Sequence, residues 1–178
     1  MSPKRDDFID DEPWIKHFEL SCSIDLSMEE MRRMTTGVAE DDLKDLKGSS
    51  FLHIVCSDKN VTLEIVEYLL ELYPQAINTF VAEETDEIIG DYIESAYPLH
   101  LACYNNDCPN EVIDLLLRKE TNYQLTQICT MYNDWGEMGY DNDYGGTPLH
   151  YYLSRELKNI DLDIVKKASS KSTSVIIN

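Results

Sequence analysis

Histidine recurs at one motif position, as the second residue of a Leu-His pair, in Leu52-His53, Leu99-His100 and Leu149-His150. Two cysteines, Cys56 and Cys103, each follow such a histidine by three residues, which places them on the same face of a helix. A thiol paired with an imidazole is what a cysteine hydrolase needs, provided that the thiolate is exposed and activated. Nothing in either segment supplies that activation, and we expect both cysteines to be small buried apolar side chains. A hydrolase of the Cys-His type remains the catalytic alternative.

Metal binding is the second chemistry that these residue types could support. The motif histidines lie 47 and 50 residues apart, one in each of three similar segments. Helices that pack at a spacing of ~10 Å place them too far apart for one ion. The five cysteines contain no C-x-x-C pair, which argues against zinc. The stretch that starts at Asp141 fails the EF-hand pattern, although a looser calcium site from Asp134, Glu137, Asp141 and Asp143 stays open. We predict no metal and no cofactor.

Three segments share one order of elements: residues 49–78, 96–125 and 146–170. In each, the Leu-His pair opens a short apolar stretch, and a longer amphipathic stretch follows. The longer stretches carry apolar residues at helical spacing: Leu63, Val66, Leu69, Leu70 and Tyr73; Val112, Ile113, Leu116 and Leu117; and, more thinly, Leu162, Ile164, Val165 and Ala168. Thr62 and Asp161 stand where helix N-caps are expected. The repetition predicts three stacked helix-turn-helix units.

This unit resembles the ankyrin repeat, whose opening pattern is T-P-L-H-x-A. Thr147-Pro148-Leu149-His150 matches the first four positions, Pro98-Leu99-His100-Leu101-Ala102 matches five of six, and Phe51-Leu52-His53 keeps the Leu and His. The resemblance implies an all-α, ankyrin-like solenoid of stacked repeats. In that family proline starts the first helix, leucine fills the core, and the threonine hydroxyl and histidine imidazole bond backbone groups at the turn between repeats. It also implies contacts through the concave face and the projecting finger loops.

Two long connectors, residues 79–95 and 126–146, set this chain apart from the ankyrin period of about 33 residues. Together they hold ten of the acidic residues and no basic one, along with several tyrosines and a tryptophan. Aromatic side chains supply contact area and carboxylates pair with Lys or Arg, so we predict that these loops bind a basic segment of a partner. The alternative is that they are solvated loops that keep the protein soluble.

The two ends of the chain are harder to assign. We expect residues 1–12 to be a disordered acidic terminus and residues 13–48 to be degenerate cap helices, or a tail with one docked helix. Ser27 with Glu30 three residues later is a capping-box pattern inside that region. In the third unit, residues 147–170, Ser169 and Ser170 are predicted to close the last helix, which leaves residues 171–178 as a tail.

The net charge excludes some classes of function. The chain has 34 acidic and 15 basic residues, a net charge of −19, which disfavours nucleic acid and anionic membrane surfaces. Its apolar runs are too short to span a bilayer, and its first residues lack the apolar core of a secretory signal. The scattered cysteines are typical of reduced thiols. These features predict a cytoplasmic or nuclear protein that is not secreted.

The sequence therefore predicts a non-catalytic protein-protein interaction module whose partner has a basic surface. We expect a monomer or a piece of a longer repeat array. The alternative is an acidic decoy or chaperone that recognises basic proteins by charge alone. Concave-face candidates are Ser57, Asp58, Lys59, Tyr104, Asn105, Asn106, Ser154 and Arg155. Finger candidates are Glu83, Glu84, Asp86, Glu87, Asp91, Trp135, Glu137, Tyr140, Asp141 and Asp143.

Overall fold

The computed structural model describes residues 26–36, 51–80, 96–119, 124–129 and 145–176. The described residues form α1 (Met28–Thr35), α2 (Phe51–Ser57), α3 (Leu63–Leu72), α4 (Pro98–Tyr104), α5 (Asn110–Lys119), α6 (Pro148–Leu153) and α7 (Leu162–Ile176). Short 3-10 turns lie at Pro74–Asn78, Gln124–Thr126 and Leu157–Asn159. This part of the chain contains no β-strand, and the prediction of an all-α fold is confirmed. Residues 1–12, most of the predicted cap and most of both connectors lie outside the described residues.

The helices pack as pairs that are arranged in two layers. Within each pair the short helix contacts the longer one that follows it: α2 with α3, α4 with α5, and α6 with α7. The short helices α2, α4 and α6 pack side by side in one layer, and α1, α3, α5 and α7 follow one another in the second layer. We call the three pairs units 1, 2 and 3. The pairing explains why neither stripe of apolar residues is stable alone, since each is buried only by its neighbours.

Local start signals determine where the helices begin. The Thr62 hydroxyl accepts a hydrogen bond from the Ile65 amide at 3.4 Å at the start of α3. The Asp161 carboxylate accepts one from the Asp163 amide at 2.8 Å at the start of α7. Pro98 begins α4 and Pro148 begins α6, positions where the missing N–H removes no helical bond. Both predicted N-caps are therefore present.

The core runs without interruption through all three units. The motif leucines Leu52 and Leu99 are 1% and 0% exposed, the third motif leucine Leu149 is half-buried against the core, and Tyr152 of unit 3 is 1% exposed. A small apolar cavity of about 10 Å³ remains between α5, α6 and α7, lined by residues such as Ile113 and Ala168. That volume is about one water molecule, and an apolar lining offers a water no partner. The interior therefore has no room for a small-molecule ligand at this place.

The last helix is longer than the sequence predicted. α7 continues through Ser169 and Ser170 and ends at Ile176, so the tail predicted for residues 171–178 is helical over most of its length. Serine is compatible with this helix because its hydroxyl can bond a carbonyl one turn back. Ser170 donates to the Lys167 carbonyl at 2.9 Å and Ser172 donates to the Ala168 carbonyl at 3.0 Å. The prediction that Ser169 and Ser170 close the helix is wrong for this reason.

One helix of the predicted N-terminal cap is described. The Ser27 hydroxyl accepts from the Glu30 amide at 3.2 Å, which is half of the predicted capping box, while the Glu30 carboxylate pairs with Arg33 at 2.6 Å. α1 then packs on α3, where the hydroxyls of Thr35 and Tyr68 are 2.8 Å apart. α1 thus extends the second layer beyond unit 1. A second cap helix stays a prediction.

Candidate interaction surface

The second connector leaves the helices and returns to them at one fixed point. The Cys129 amide donates to the Gly146 carbonyl at 3.0 Å, and the Gly146 amide donates back at 2.9 Å. The Tyr151 hydroxyl donates to the Cys129 carbonyl at 2.5 Å and lies 3.1 Å from the Gly146 amide. We call this arrangement of Cys129, Gly146 and Tyr151 the neck. It fixes both ends of the connector on the first turn of α6.

Glycine is required beside the neck because the two chain segments approach each other closely. A Cβ atom on Gly145 would lie 2.6 Å from Ile128 Cγ2 and 2.8 Å from the Cys129 carbonyl oxygen. Both distances are shorter than a Cβ atom tolerates. The Cys129 carbonyl is held in the neck by hydrogen bonds from the Gly146 amide and the Tyr151 hydroxyl, so it cannot move away easily. The Gly145-Gly146 pair in the sequence thus marks a close approach of backbone to backbone.

His100 attaches the start of the second connector, at Gln127, to unit 2. Its ring is fully buried, and Nε2 lies 3.1 Å from the Gln127 carbonyl oxygen. A carbonyl only accepts, so Nε2 carries the proton. Nδ1 has no hydrogen-bond partner among the described residues. Burial lowers the pKa of His100 to about 4, and the hydrogen bond to Gln127 opposes this shift. His100 is therefore neutral near pH 7 and acts as a structural donor.

The third motif histidine, His150, is exposed, and its ring bonds only to Thr147, three residues earlier in the chain, among the contacts described here. Its Nδ1 accepts from the Thr147 amide at 3.2 Å and lies 2.7 Å from the Thr147 hydroxyl. This is the Thr-His arrangement that the ankyrin resemblance implies. Tyr97 replaces the threonine in unit 2, which leaves no hydroxyl for the Nδ1 atom of His100. His53 is fully buried in unit 1.

Aromatic rings form a strip that runs from the start of the first connector across units 2 and 3. Ring centroids are 5.0 Å apart for Phe80 and Tyr97, 5.8 Å for Tyr97 and His100, 6.3 Å for His100 and Tyr151, and 5.8 Å for Tyr151 and Tyr104. These distances are those of interacting aromatic pairs. We call these five residues the aromatic strip. The strip is continuous because each ring contacts the next across a unit boundary or along α4.

Four of the five rings of the strip are accessible, whereas His100 between them is buried. Phe80 is 43% exposed, and the three tyrosines are half-buried. Ile128, next to the neck, is 70% exposed and adds apolar surface at the same end of the connector. A half-buried tyrosine is held in place by its neighbours and still offers a ring edge or face to a partner. The arrangement suits binding of another chain better than it suits catalysis, since it carries no charged group.

The two acidic connectors begin and end, in the sequence, at residues close to the strip. The first connector continues directly from Phe80 and returns at Ala96, and the second continues from Cys129 and returns at Gly145. Glu83 and Glu84 follow Phe80 by three and four residues, which is a reach of at most about 14 Å along an extended chain. All ten finger candidates from Glu83 to Asp143 lie outside the described residues. In the sequence, acidic residues follow Phe80 closely and precede Gly145 closely.

Arg155 is not the exposed contact that the sequence predicted. Its side chain is 5% exposed, and Nη2 donates to the carbonyls of Asn106 at 2.9 Å and Cys108 at 2.7 Å. The guanidinium also lies 5.3 Å from the ring centre of Tyr152. A guanidinium carries five donors in a planar fork, so it can bond two carbonyls of a turn at once. Arg155 holds unit 3 to the turn of unit 2.

Asn105 has the same function one unit earlier and is likewise not a free surface contact. Its side-chain nitrogen donates to the carbonyls of Cys56 at 3.1 Å and Asp58 at 2.8 Å. Asn105 and Arg155 each lie five residues after their motif histidine. This shared offset was visible in the sequence and could have indicated that both residues bond the turn of the preceding unit.

Two of the other concave-face candidates, Asn106 and Asp58, accept hydrogen bonds within the fold, and the rest have exposed or half-buried side chains. Asn106 is exposed, but its side-chain oxygen accepts from the Glu156 amide at 3.2 Å, which occupies it within the fold. Asp58 is half-buried and accepts from the Asn60 amide at 2.6 Å. Lys59 is exposed, as are Ser57 and Ser154, and Tyr104 belongs to the aromatic strip. Tyr104 is the candidate that the structure brings into the surface described above.

The four cysteines in the described part of the chain do not offer a nucleophile. Cys56, Cys103 and Cys108 are buried, and burial is the main cause that raises the pKa of each thiol, to about 12 for Cys108. Burial also raises the pKa of Cys129 to about 11, against a hydrogen bond from the Tyr97 amide that lowers it. These thiols are protonated at neutral pH and shielded from substrate. Within the described ranges, no three His, Cys, Asp or Glu side chains are grouped so as to hold a metal ion.

In the same ranges, no helix is both long and apolar enough to cross a membrane. Comparison with protein-family models gives no match, and comparison with curated proteins and with solved structures gives no significant match. Family and function must therefore be argued from the residues of this chain and the way they pack.

Proposed function

We propose that this chain is a non-catalytic interaction module of the ankyrin type that binds a basic segment of another protein. The ankyrin assignment is supported by helix pairs that open with Pro-Leu-His in units 2 and 3 and by two layers of like helices. It is also supported by the Thr147–His150 pair at the start of α6. A solenoid of this kind presents side chains from successive units on one continuous surface.

The observation that carries the binding proposal is the aromatic strip between the ends of two base-free acidic connectors. Tyrosine supplies a large, rigid contact area at low entropic cost, and a cationic side chain is attracted to its ring face. The carboxylates of the two connectors attract lysine and arginine and repel acidic chains. The partner segment therefore lies along the strip, with its basic side chains directed to the connectors. We place this interaction in the cytoplasm or the nucleus.

The test uses synthetic peptides rich in lysine and arginine, with neutral peptides of equal length as the reference, titrated against the full chain. The connector variant changes Glu83, Glu84 and Glu87 to Gln. The matched control changes three exposed acids on the outer face of α3, Glu64, Glu67 and Glu71, to Gln. Both variants have the same net charge of −16, because each loses three carboxylates from −19.

We expect the connector variant to bind basic peptides roughly tenfold more weakly, at about 0.5 kcal/mol for each exposed ion pair lost. We expect the α3 control to bind like the wild type. Equal weakening in both variants would indicate recognition by total charge, as for an acidic decoy or chaperone, and would contradict the proposal. Tyr104→Ala tests the strip separately, since it changes no charge and should also weaken binding.

A further inference from the structure

Some hydroxyl side chains of this acidic chain lie close to pairs of basic residues. A protein kinase that prefers basic sequences binds them through carboxylates in its substrate groove, so lysine and arginine attract it and acidic residues repel it. Two pairs of adjacent bases are followed, within four residues, by serine or threonine in the described ranges: Arg32-Arg33 before Thr35 and Thr36, and Lys166-Lys167 before Ser169 and Ser170. Burial and local charge distinguish these four hydroxyls.

The two threonines are poor phosphate acceptors. Thr35 is 3% exposed, and its hydroxyl donates to the Met31 carbonyl at 2.8 Å and lies 2.8 Å from the Tyr68 hydroxyl. Thr36 is exposed, but the fifteen residues centred on it, 29–43, carry five acids and two bases, a net charge of −3. A substrate groove lined with carboxylates is repelled by such a segment. The first pair of bases is therefore followed by one buried and one electrostatically disfavoured hydroxyl.

The two serines are exposed and lie in a basic segment. The fifteen residues centred on Ser170, 163–177, carry three bases and one acid, a net charge of +2. Ser170 follows Lys166 by four residues and Lys167 by three, which places all three side chains on one face of α7. Ser169 shares its face with Lys166 alone. Ser170 is therefore the hydroxyl that attracts an acidic groove and can hold a phosphate beside two ammonium groups.

The segment around Ser170 can open locally. Ala168 is buried, whereas Lys171 and Ser172, which follow it on α7, are only half-buried. Five of the six residues from 169 to 174 are serine or threonine, which form helix less readily than alanine or leucine. A segment with few buried contacts and weak helix propensity opens at a small cost in free energy. The last turns of α7 can thus adopt the extended form that a kinase binds.

We propose that Ser170 is a phosphorylation site for a protein kinase that recognises basic sequences. The Ser170 Oγ atom attacks the γ-phosphorus of ATP, the bond from that phosphorus to the oxygen of ADP breaks, and the hydroxyl proton passes to the catalytic aspartate of the kinase. The products are phosphoserine and ADP. The tyrosines of the aromatic strip lie on or next to α4 and α6 in the first layer, whereas α7 belongs to the second layer, so this proposal does not rest on peptide binding.

The phosphate competes for a lysine that links two units. Lys167 pairs with Asp114 of α5 at 2.5 Å, and Lys166 pairs with Asp163 at 3.0 Å. A phosphate on Ser170 carries a charge of about −2 and lies within one turn of both lysines, so it attracts each of them more strongly than a single carboxylate does. We expect it to draw Lys167 away from Asp114, which loosens the contact between α7 and α5.

The first test is phosphorylation of the full chain by ATP and the catalytic domain of a kinase that prefers basic sequences, with the site identified by mass spectrometry. We expect phosphate on Ser170 and none in Ser170→Ala. The matched control is Ser57→Ala, at another exposed serine whose hydroxyl donates to the carbonyl three residues earlier, and it should be phosphorylated like the wild type. No incorporation overturns the proposal, and so does phosphate on Thr36 or Ser169 in place of Ser170.

Charge variants test why this serine is recognised. Lys166→Gln together with Lys167→Gln should lower the kcat/KM of the kinase for the chain roughly tenfold, because two exposed charges no longer attract the groove. The control, Lys119→Gln together with Lys158→Gln, makes the same change of net charge at exposed lysines elsewhere and should leave kcat/KM unchanged. Equal effects in the two variants would show that the charge beside Ser170 is not what the kinase recognises.

Phosphorus NMR tests the surroundings of the phosphate. Ammonium groups favour the dianion, so the second pKa of the phosphate on Ser170 should lie below that of phosphoserine in an unstructured reference peptide. Lys166→Gln should raise this pKa, and Lys119→Gln should not. A pKa equal to that of the reference peptide would contradict the pairing with the lysines.

Thermal melts test the release of Asp114. Asp114→Asn should lower the midpoint of the unmodified chain more than that of the phosphorylated chain, because in the latter the phosphate has already taken Lys167. Equal losses in the two forms would refute the competition for Lys167.

Discussion

Protonation of His100 provides a sharp test of the buried connector attachment. The folded pKa is about 4, against an ordinary value of 6.5, because burial disfavours the imidazolium. Between these two values the unfolded chain binds a proton that the folded chain does not, so stability falls as the pH is lowered from 6.5 towards 4. Above pH 6.5 the histidine is neutral in both states and its contribution to stability is complete.

The size of the effect follows from the two pKa values. Linkage gives a loss of about 2 kcal/mol between pH 7 and pH 5, and about 3 kcal/mol once the pH is below 4. The window from pH 7 to 5 is useful because ordinary Asp and Glu side chains stay ionised across it. A loss of about 2 kcal/mol is a large share of the stability of a typical domain.

The measurement is urea unfolding at pH 7 and pH 5, followed by helical circular dichroism. His100→Gln keeps a side-chain donor for the Gln127 carbonyl and removes the titrating group. We expect the wild type to lose about 2 kcal/mol more than this variant between the two pH values. His150→Gln, at the exposed histidine of the same motif, is the matched control for the substitution itself. If His100→Gln loses as much stability as the wild type, His100 is not a buried neutral donor and the reasoning fails.

Two further predictions concern the contacts that hold the units and the neck together. Arg155→Ala should lower the free energy of unfolding by about 3 kcal/mol, since it removes two hydrogen bonds from a charged donor. Lys158→Ala, at a side chain 75% exposed and paired with Glu156, should leave it nearly unchanged in the same urea titration, because solvent screens an exposed ion pair. Weaker peptide binding by Arg155→Ala at full stability would instead make Arg155 a surface contact. Gly145→Ala should lower the thermal midpoint by several degrees, because its Cβ would lie 2.8 Å from a backbone oxygen. Gly146→Ala, whose closest new contact is 3.1 Å to the Tyr151 ring, should cost less in the same thermal melt because the overlap is smaller, and an equal cost would contradict the close approach at Gly145.

The repeated helix pairs could be predicted because their signals are local. The Leu-His pairs, Thr62 and Asp161 each act within one turn of helix, and the structure places helix starts at all of them. The end of α7 could not be predicted in the same way. Serine either ends a helix or bonds back into it, and the choice depends on whether the helix packs against a neighbour, as α7 does against α5.

The candidate surface was harder to predict because it depends on contacts between units. Residue type alone assigns an arginine to the surface, where most arginines lie, and only the packing of unit 3 on unit 2 buries Arg155. Phe80, Tyr97 and Tyr151 are far apart in sequence, and they become one strip only when α4 and α6 pack side by side. The acidity of the connectors is evident from the sequence, but the assembly of these rings into one strip is not.

The neck has a consequence for how this protein can change. Because Cys129 and Gly146 are held together by two backbone hydrogen bonds, the ends of the segment between them stay together whatever its length or composition. Lengthening a loop whose ends are already joined is inexpensive, at about 0.6 kcal/mol for each doubling of its length. Insertions and substitutions can therefore accumulate between residues 130 and 144 while the helix pairs keep their packing. The same property makes this position suitable for grafting a foreign binding loop.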